Sequence, residues 1–185
     1  GRRSHGGGFP ATSPERKVRD ARRSPESGYS TRRMSVRKIL EGENNPHLRA
    51  VAAPLKSRSR DIGSLLDDLC DTATEAAGVG LAAPQIGIGK QVCVVKITGE
   101  FVALLNPEIV WMSEEREVME EGCLSLPGVA VAVPRAKAIT LRYRDRKWKE
   151  QARKLTNLHA RIVQHEVDHL RGVLIVDYLA SEGVG

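Results

Sequence analysis

The stretch QHEVDH, residues 164–169, holds the residues of this sequence that are best suited to chemistry. His165 and His169 are four residues apart, and Glu166 follows the first histidine directly. On a helix this spacing places both imidazoles on one side, where they can bind one metal ion while the glutamate reaches a water beside it. The alternative is a pair of hydrogen-bonded histidines on a partly buried helix. Two histidines at ligand spacing around a glutamate favour the metal site.

A catalytic site of this kind needs a third protein ligand and an open coordination position. No third histidine follows at the spacing that metzincins use. The remaining candidates for the third ligand are Cys123, His159 and a distant carboxylate. The spacing of the two histidines does not choose among them.

The segment around the two histidines has apolar residues at helical spacing, and Gly172 is placed to end the helix. Leu158 and Ile162 continue the stripe on which His165 and His169 lie. We expect this stripe to be buried, so its histidines must be ligands or hydrogen-bonded groups.

A second helix is predicted from SRDIGSLLDDLCDTATEAAG, with Ser59 or Asp61 as its N-cap and Gly78 in the left-handed conformation at its end. The glycine-rich stretch GVGLAAPQIGIG, residues 78–89, is predicted to be a loop brought close to something else. It lacks the spacing of phosphate-binding loops.

Four apolar runs of strand length lie between these two helices: QVCVVKI, FVALLNPEIVW, VAVAVP and KAITLRYR. Turn residues separate them. The sequence therefore predicts an α+β fold, with antiparallel β-sheets packed around a central metal-binding helix and a leading N-terminal helix.

The net charge of +6 comes from the first 33 residues, which contain nine basic and three acidic side chains. The remaining residues carry equal numbers of both signs, so the charge is no argument for a nucleic-acid-binding domain. Residues 1–33 lack apolar periodicity and are predicted to be a disordered basic tail. Their Arg and Ser content resembles a transit-peptide remnant, although a natural polar extension would look similar.

The three cysteines, Cys70, Cys93 and Cys123, are widely spaced and odd in number, which favours a reducing compartment over a disulfide framework. No stretch has the length and apolar character of a transmembrane helix. We therefore expect no membrane association.

Three motifs of the chain together resemble those of the peptide deformylase family. They are GVGLAAPQ at 78–85, EGCLS at 121–125 and QHEVDH at 164–169, in the family's order and approximate spacing. The resemblance extends from Met34 to about residue 179. It implies a metal-dependent hydrolase that removes the N-formyl group from the N-terminal formylmethionine of nascent polypeptides and releases formate.

The resemblance also implies a role for each matching residue. The metal ligands would be Cys123, His165 and His169, around one divalent ion that is Fe(II) natively and that Zn, Ni or Co can replace. Glu166 would be the general base and acid, and the side chain of Gln85 with the backbone N–H of Leu124 would stabilise the oxyanion. The substrate pocket would be formed by Val79, Gly80, Met119, Leu158 and Ile162. Glu121 and Arg135 would form a supporting ion pair.

On this interpretation residues 34–185 are the catalytic domain, and formyl-methionyl nascent peptides are the substrate. Transient ribosome contact is expected, without stable nucleic-acid binding. The enzyme would work in a plastid or mitochondrion if the tail is a transit-peptide remnant, and otherwise in a bacterial-type cytoplasm.

Two other functions compete with this one. Another HExxH hydrolase, such as a small peptidase, would use a carboxylate or histidine as its third ligand and would cleave internal peptide bonds. A non-catalytic binding module would hold a structural metal closed by four protein ligands.

Overall fold

The computed structural model describes residues 35–58 and 60–179. The tail 1–33 and the predicted cap Ser59 lie outside the described residues. The helices are α1 (Pro46–Arg49), α2 (Ile62–Glu75) and α3 (Asn157–Leu170). The strands are β1 (Gly80–Ala82), β2 (Val92–Ile97), β3 (Glu100–Met112), β4 (Arg116–Cys123), β5 (Leu126–Ala136), β6 (Ala138–Arg144) and β7 (Glu150–Thr156). Short 3-10 helices span Ala83–Ile86 and Ile175–Tyr178.

The strands form a five-stranded sheet in the order β1-β2-β3-β6-β7 and a separate hairpin of β4 and β5. Every pairing between these described strands is antiparallel. The predicted α+β fold with antiparallel sheets is thereby confirmed, and α2 is its leading long helix.

Strand β2 is buried on both faces between the two long helices. Cys93 and Val95 belong to the core cluster that contains the apolar residues of α3, whereas Val92 and Val94 belong to the cluster that contains those of α2. Successive side chains of a strand point to opposite faces, so α2 and α3 cover opposite faces of the sheet. The four consecutive apolar residues from Val92 to Val95 suit a strand in this position.

Helix α3 lies against the sheet through Val163, Val167 and Leu170, which are all buried. It ends where the sequence predicts, because Gly172 follows with a φ of +74°. The predicted burial of its histidine stripe is wrong at Leu158, which is 57% exposed at the rim of a cavity. Ile162 and His169 on the same stripe are buried.

The end of α2 differs from the prediction. The residue with positive φ is Ala77, at 52°, and not Gly78. A side chain at Gly78 would meet Leu124 Cδ1 at 2.9 Å, so the glycine allows close packing and does not form a left-handed turn. The N-cap is Asp61, which makes no capping bond through its side chain.

Three strands fall where the sequence shows no apolar run. β1 and a 3-10 helix lie inside the predicted loop 78–89, and β4 and β7 are rich in charged residues.

The turn between β6 and β7 is held by Asp145, whose side chain accepts the backbone N–H groups of Lys147 and Lys149. No helix in the described part of the chain has the length and hydropathy needed to cross a bilayer.

Candidate active site

Cys123, His165 and His169 converge although they lie on different elements. Their potential ligand atoms all lie within 4.8 Å of one another. Cys123 Sγ is 3.2 Å from His169 Nε2, and the two imidazole rings are 4.9 Å apart between centroids. His159, another candidate for the third ligand, instead accepts the backbone N–H of Thr98.

The β4–β5 hairpin places Cys123. This residue is the last of β4 and pairs with Leu126 after a register shift that follows Gly122. Such an irregularity bends a strand and redirects its side chains. The thiol thereby reaches the two imidazoles, which α3 presents one turn apart.

Glu166 is the acid–base candidate and is only 4% exposed. Burial raises the pKa of Glu166 to about 7, even though His165 opposes the shift. Its Oε2 atom has no hydrogen-bond partner among the described residues. A carboxyl group with a pKa near neutrality can both take and return a proton at physiological pH.

The absence of a side chain at Gly80 makes room for this carboxylate. A Cβ atom there would collide with Glu166 Oε1. The family resemblance places Gly80 in the substrate pocket, and the residue lies on β1 at an edge of the sheet. The glycine therefore serves the placement of Glu166 as well.

The two histidines have different electrostatic surroundings. Burial holds the pKa of His169 well below its ordinary value, so this imidazole is neutral, as a metal ligand must be. Burial acts in the same direction on His165, but its hydrogen bonds with Cys123 and Glu121 raise its pKa to about 10.

The Gln85 side chain is buried in a fixed orientation. Its Oε1 atom accepts the backbone N–H of Ala82 at 2.9 Å, while Nε2 donates to Ser125 Oγ at 3.1 Å and points to Cys123 Sγ at 3.8 Å. The bond from Ala82 keeps the amide nitrogen, and not its oxygen, directed at the cysteine. Leu124 follows Cys123 and lines the same cavity.

A cavity of about 480 Å³ opens beside these groups. The five residues named for the substrate pocket all line it: Val79, Gly80, Met119, Leu158 and Ile162. Only Gly80 and Ile162 are buried, and the three others form an exposed apolar rim. Exposed apolar side chains around a cleft are typical of a binding site.

Glu121 and Arg135 form a buried, bidentate ion pair beside His165. Arg135 donates from Nε and Nη2 to the two carboxylate oxygens at 3.0 and 2.9 Å. Oε2 of Glu121 also lies 3.0 Å from His165 Nδ1. Burial would raise the pKa of Glu121, but the bonds from His165 and Arg135 outweigh it and lower the pKa to about 2. The ionised carboxylate thus orients the imidazole with Nε2 turned away from it.

Sequence reasoning missed three buried or half-buried polar residues around this pair, Arg161, Asp168 and Tyr178, and also missed Ser125, which is bonded to Gln85. Arg135 also bonds to Asp168 and to the hydroxyl of Tyr178. Arg161 bonds to Glu121 and could have been found, because it lies one helical turn before His165 on the ligand stripe.

The donor set fits a catalytic metal ion. One thiol and two imidazoles converge in a buried site, and three protein ligands with an adjacent cavity leave a position open for water or substrate. The contact between His165 Nδ1 and a carboxylate is typical of metal-binding histidines.

Comparison with known proteins agrees with this geometry. The family model of polypeptide deformylase matches residues 36–184. The peptide deformylase of Rhizobium meliloti (strain 1021) is 45% identical over 142 residues, which cover 74% of this chain and 82% of that protein. The peptide deformylase of Heliobacterium modesticaldum is 42% identical over 149 residues, which cover 80% and 97%.

Solved structures match as well. The peptide deformylase of Thermotoga maritima superposes with a TM-score of 0.75 at 37% identity, covering 77% of this chain and 97% of that one. The enzyme of Synechococcus elongatus in complex with actinonin superposes with a TM-score of 0.72 at 36% identity, covering 75% and 76%. Because both sequence and fold match over most of each protein, the chain belongs to the peptide deformylase family and is a metal-dependent enzyme that removes the formyl group from nascent polypeptides.

Proposed function

We propose that Cys123, His165 and His169 hold the metal ion, natively Fe(II), with Zn, Ni or Co able to replace it. The observation that carries this proposal is the convergence of these three donors beside the cavity that Glu166 also lines. A divalent ion at such a site lowers the pKa of water and polarises a carbonyl oxygen. A thiolate with two imidazoles suits both Fe(II) and Zn(II), and the thiolate makes the site sensitive to oxidation.

Glu166 is the group that moves the proton in this proposal. It takes a proton from the attacking water and returns it to the amine that leaves the formyl carbon. The pKa of about 7 suits both halves of that cycle. The carboxyl oxygen without a hydrogen-bond partner among the described residues is free to contact water or substrate.

Gln85 and the backbone N–H of Leu124 stabilise the oxyanion. As the formyl carbon becomes tetrahedral its oxygen gains negative charge, and preset donors stabilise that charge without reorganising. The contact from Ala82 and the contact with Ser125 support this role for Gln85, because they fix the direction of its amide nitrogen.

The methionine side chain occupies the apolar cavity beside the metal. Val79, Met119 and Leu158 line its rim, and Ile162 lies deeper. The peptide backbone pairs along the free edge of β1, as an added strand. Formyl-methionyl peptides fit this arrangement because their first side chain is long and apolar.

Residues 34–185 form the catalytic domain in this proposal, and residues 1–33 are a transit-peptide remnant. The enzyme then works in a plastid or mitochondrion, on peptides that leave a bacterial-type ribosome, with transient ribosome contact. Without targeting by the tail its place is a bacterial-type cytoplasm. Deletion of residues 1–33 is expected to leave deformylation unchanged, and a loss of activity would assign the tail to the enzyme.

Formate release from formyl-Met peptides tests the proposal against the peptidase alternative. The protein is prepared and assayed anaerobically with its metal content measured in parallel. We expect formate release in proportion to bound metal, inhibition by actinonin and no cleavage of casein. Casein cleavage without formate release would contradict the assignment.

The structural-metal alternative is tested by Glu166→Gln. A closed structural site would leave the function unchanged in this variant. We expect instead full metal content with formate release nearly abolished.

A further inference from the structure

The metal ligands lie on two elements that must be held at a fixed distance from each other. Cys123 belongs to the β4–β5 hairpin, whereas His165 and His169 belong to α3. The hairpin forms a two-stranded sheet of its own and is not paired with any strand of the five-stranded sheet. Side chains must therefore join the hairpin to α3.

Arg161 makes such a connection to both strands of the hairpin. Its Nη2 donates to the carbonyl of Glu117 on β4 at 2.5 Å, and Nη1 donates to the carbonyl of Val133 on β5 at 2.9 Å. Nη1 also donates to Glu121 Oε1 at 2.7 Å. The one other α3 side chain bonded to a main-chain carbonyl of this hairpin, among the described residues, is Gln164, which reaches only β5.

Arg161 also completes the hydrogen bonds of Glu121. Oε1 accepts from Arg161 and Arg135, while Oε2 accepts from Arg135 and faces His165 Nδ1. All the acceptor positions of an ionised carboxylate are then occupied. The carboxylate cannot rotate away from His165 without breaking charge-assisted bonds.

Arg161 is only 5% exposed, so its charged group lies in the interior. A buried cation is costly unless it is paired and its donors are satisfied. The chain keeps one here although Arg135 already pairs with Glu121. Arg161 also lines the cavity, but an aliphatic residue could line an apolar cavity equally well.

We propose that Arg161 is a positioning residue of the metal site, which holds the β4–β5 hairpin against α3 and so sets the spacing between the Cys123 thiol and the two imidazoles. The inference rests on the proposed metal site. It assigns Arg161 no contact with the reacting atoms.

Metal affinity decides the matter, because two physical effects of removing Arg161 have opposite signs. Loss of a nearby positive charge alone would strengthen cation binding. Loss of positioning weakens it, and removal of the outer-shell partners of metal ligands weakens affinity by about 10- to 100-fold. Arg161→Met keeps much of the side-chain volume while it removes the positive charge and the N–H donors of the guanidinium.

The experiment compares the parent, Arg161→Met and Arg161→Lys with Arg153→Met, which removes an exposed arginine of β7. Anaerobic Co²⁺ titration with chelator competition measures affinity, and the thiolate-to-cobalt absorption reports on Cys123. We expect Arg161→Met to bind roughly 10- to 100-fold more weakly with reduced thiolate absorption, and Arg161→Lys to fall between it and the parent. Arg153→Met should match the parent.

Affinity and thiolate absorption of Arg161→Met equal to or above those of the parent would overturn the inference. So would a change confined to the KM for peptide, or a lower melting temperature with unchanged Co²⁺ binding at a temperature where the variant is folded. If Arg161→Met does not fold, Arg161→Lys and Arg161→Gln decide, since each keeps a donor. A Co²⁺ affinity equal to that of the parent in both variants would overturn the inference.

If the proposed metal site itself is wrong, the experiment gives a different result. In that case the parent itself would bind no Co²⁺ through Cys123, and Cys123→Ala would bind it as the parent does. The comparison among Arg161 variants is made only with a parent that shows thiolate absorption and releases formate.

Discussion

The proposed metal site has two halves that are built in different ways. Helix α3 supplies His165, Glu166 and His169 by local geometry, because a helix brings residues four apart onto one side. The β4–β5 hairpin supplies Cys123 through a strand irregularity and a set of long-range polar contacts. The helical half needs only that the helix forms, whereas the hairpin half needs the tertiary structure.

This difference predicts how each half responds to substitution. Changes on α3 that keep the helix should alter chemistry without moving the other ligands. Changes in the polar network between α3 and the hairpin should alter stability and ligand spacing together. The following substitutions test that division, beginning with the largest expected effect.

Glu166→Gln should abolish most of the activity while leaving the helical half in place. Loss of a general base and acid lowers kcat by about 10²- to 10⁴-fold. Metal content and the melting temperature should stay near those of the parent, because the amide has the same shape. Steady-state formate release with metal analysis measures both. Glu75→Gln, at the exposed end of α2, is the control and should be fully active.

Arg135→Ala should damage the hairpin half. It leaves Glu121 and Asp168 without their shared guanidinium, and loss of one partner of a buried ion pair costs about 3–5 kcal/mol. Urea unfolding of the metal-free protein measures the loss. Arg142→Ala removes the exposed pair with Glu108, which water and salt screen, and should cost far less. Equal losses in the two variants would contradict the special importance of the buried network.

Gln85→Ala examines a residue that belongs to neither half. Its amide is oriented by Ala82 and contacts Ser125, which lies two residues after Cys123. Loss of one oxyanion donor costs about 3 kcal/mol in kcat in other hydrolases. We expect a lower kcat with little change in KM or metal affinity. Gln91→Ala, outside the cavity, should match the parent, and a fall confined to metal binding would assign Gln85 to ligand support.

Asp177→Asn should have the smallest effect, and it depends on pH. Burial would raise the pKa of Asp177, but the hydrogen bonds from Arg49 and from the backbone of Leu174 outweigh it and lower the pKa. The pair therefore stabilises the fold above the ordinary pKa of 3.8, and its contribution is lost as pH falls below that value.

Asp177 is 39% exposed, so solvent screening limits the expected loss at neutral pH to about 1 kcal/mol or less. The difference in unfolding free energy between parent and variant should shrink in acid. A difference that grows in acid would contradict the sign of this pKa shift. Urea unfolding between neutral pH and the acid range measures it.

The long helices and the apolar strands could be predicted because their patterns are local. β2 is apolar except for Lys96, and α2 and α3 have apolar residues at helical spacing. β4 and β7 were missed because their exposed positions are charged, and β1 because three residues are too few to show a period. The end of α2 was misassigned because Ala77 takes the left-handed conformation, whereas Gly78 packs against Leu124.

The candidate site divides in the same way. The spacing of His165, Glu166 and His169 indicated metal chemistry, but it left the third ligand open among Cys123, His159 and a carboxylate. The resemblance to the family pointed to Cys123, and the structure brings that thiol to the imidazoles. Asp168 and Tyr178 carry no motif, so only their contacts with Arg135 single them out, whereas the position of Arg161 one helical turn before His165 was a signal in the sequence.

The sequence by itself determined that a helix near the carboxyl end presents two imidazoles and a carboxyl group on one side, because helical spacing follows from backbone geometry alone. Only the tertiary structure decided which distant group joins them, how Glu121 orients His165, and that burial brings the pKa of Glu166 near neutrality. These properties depend on distances between residues far apart in the chain and on the exclusion of water, and no local pattern of residues encodes either.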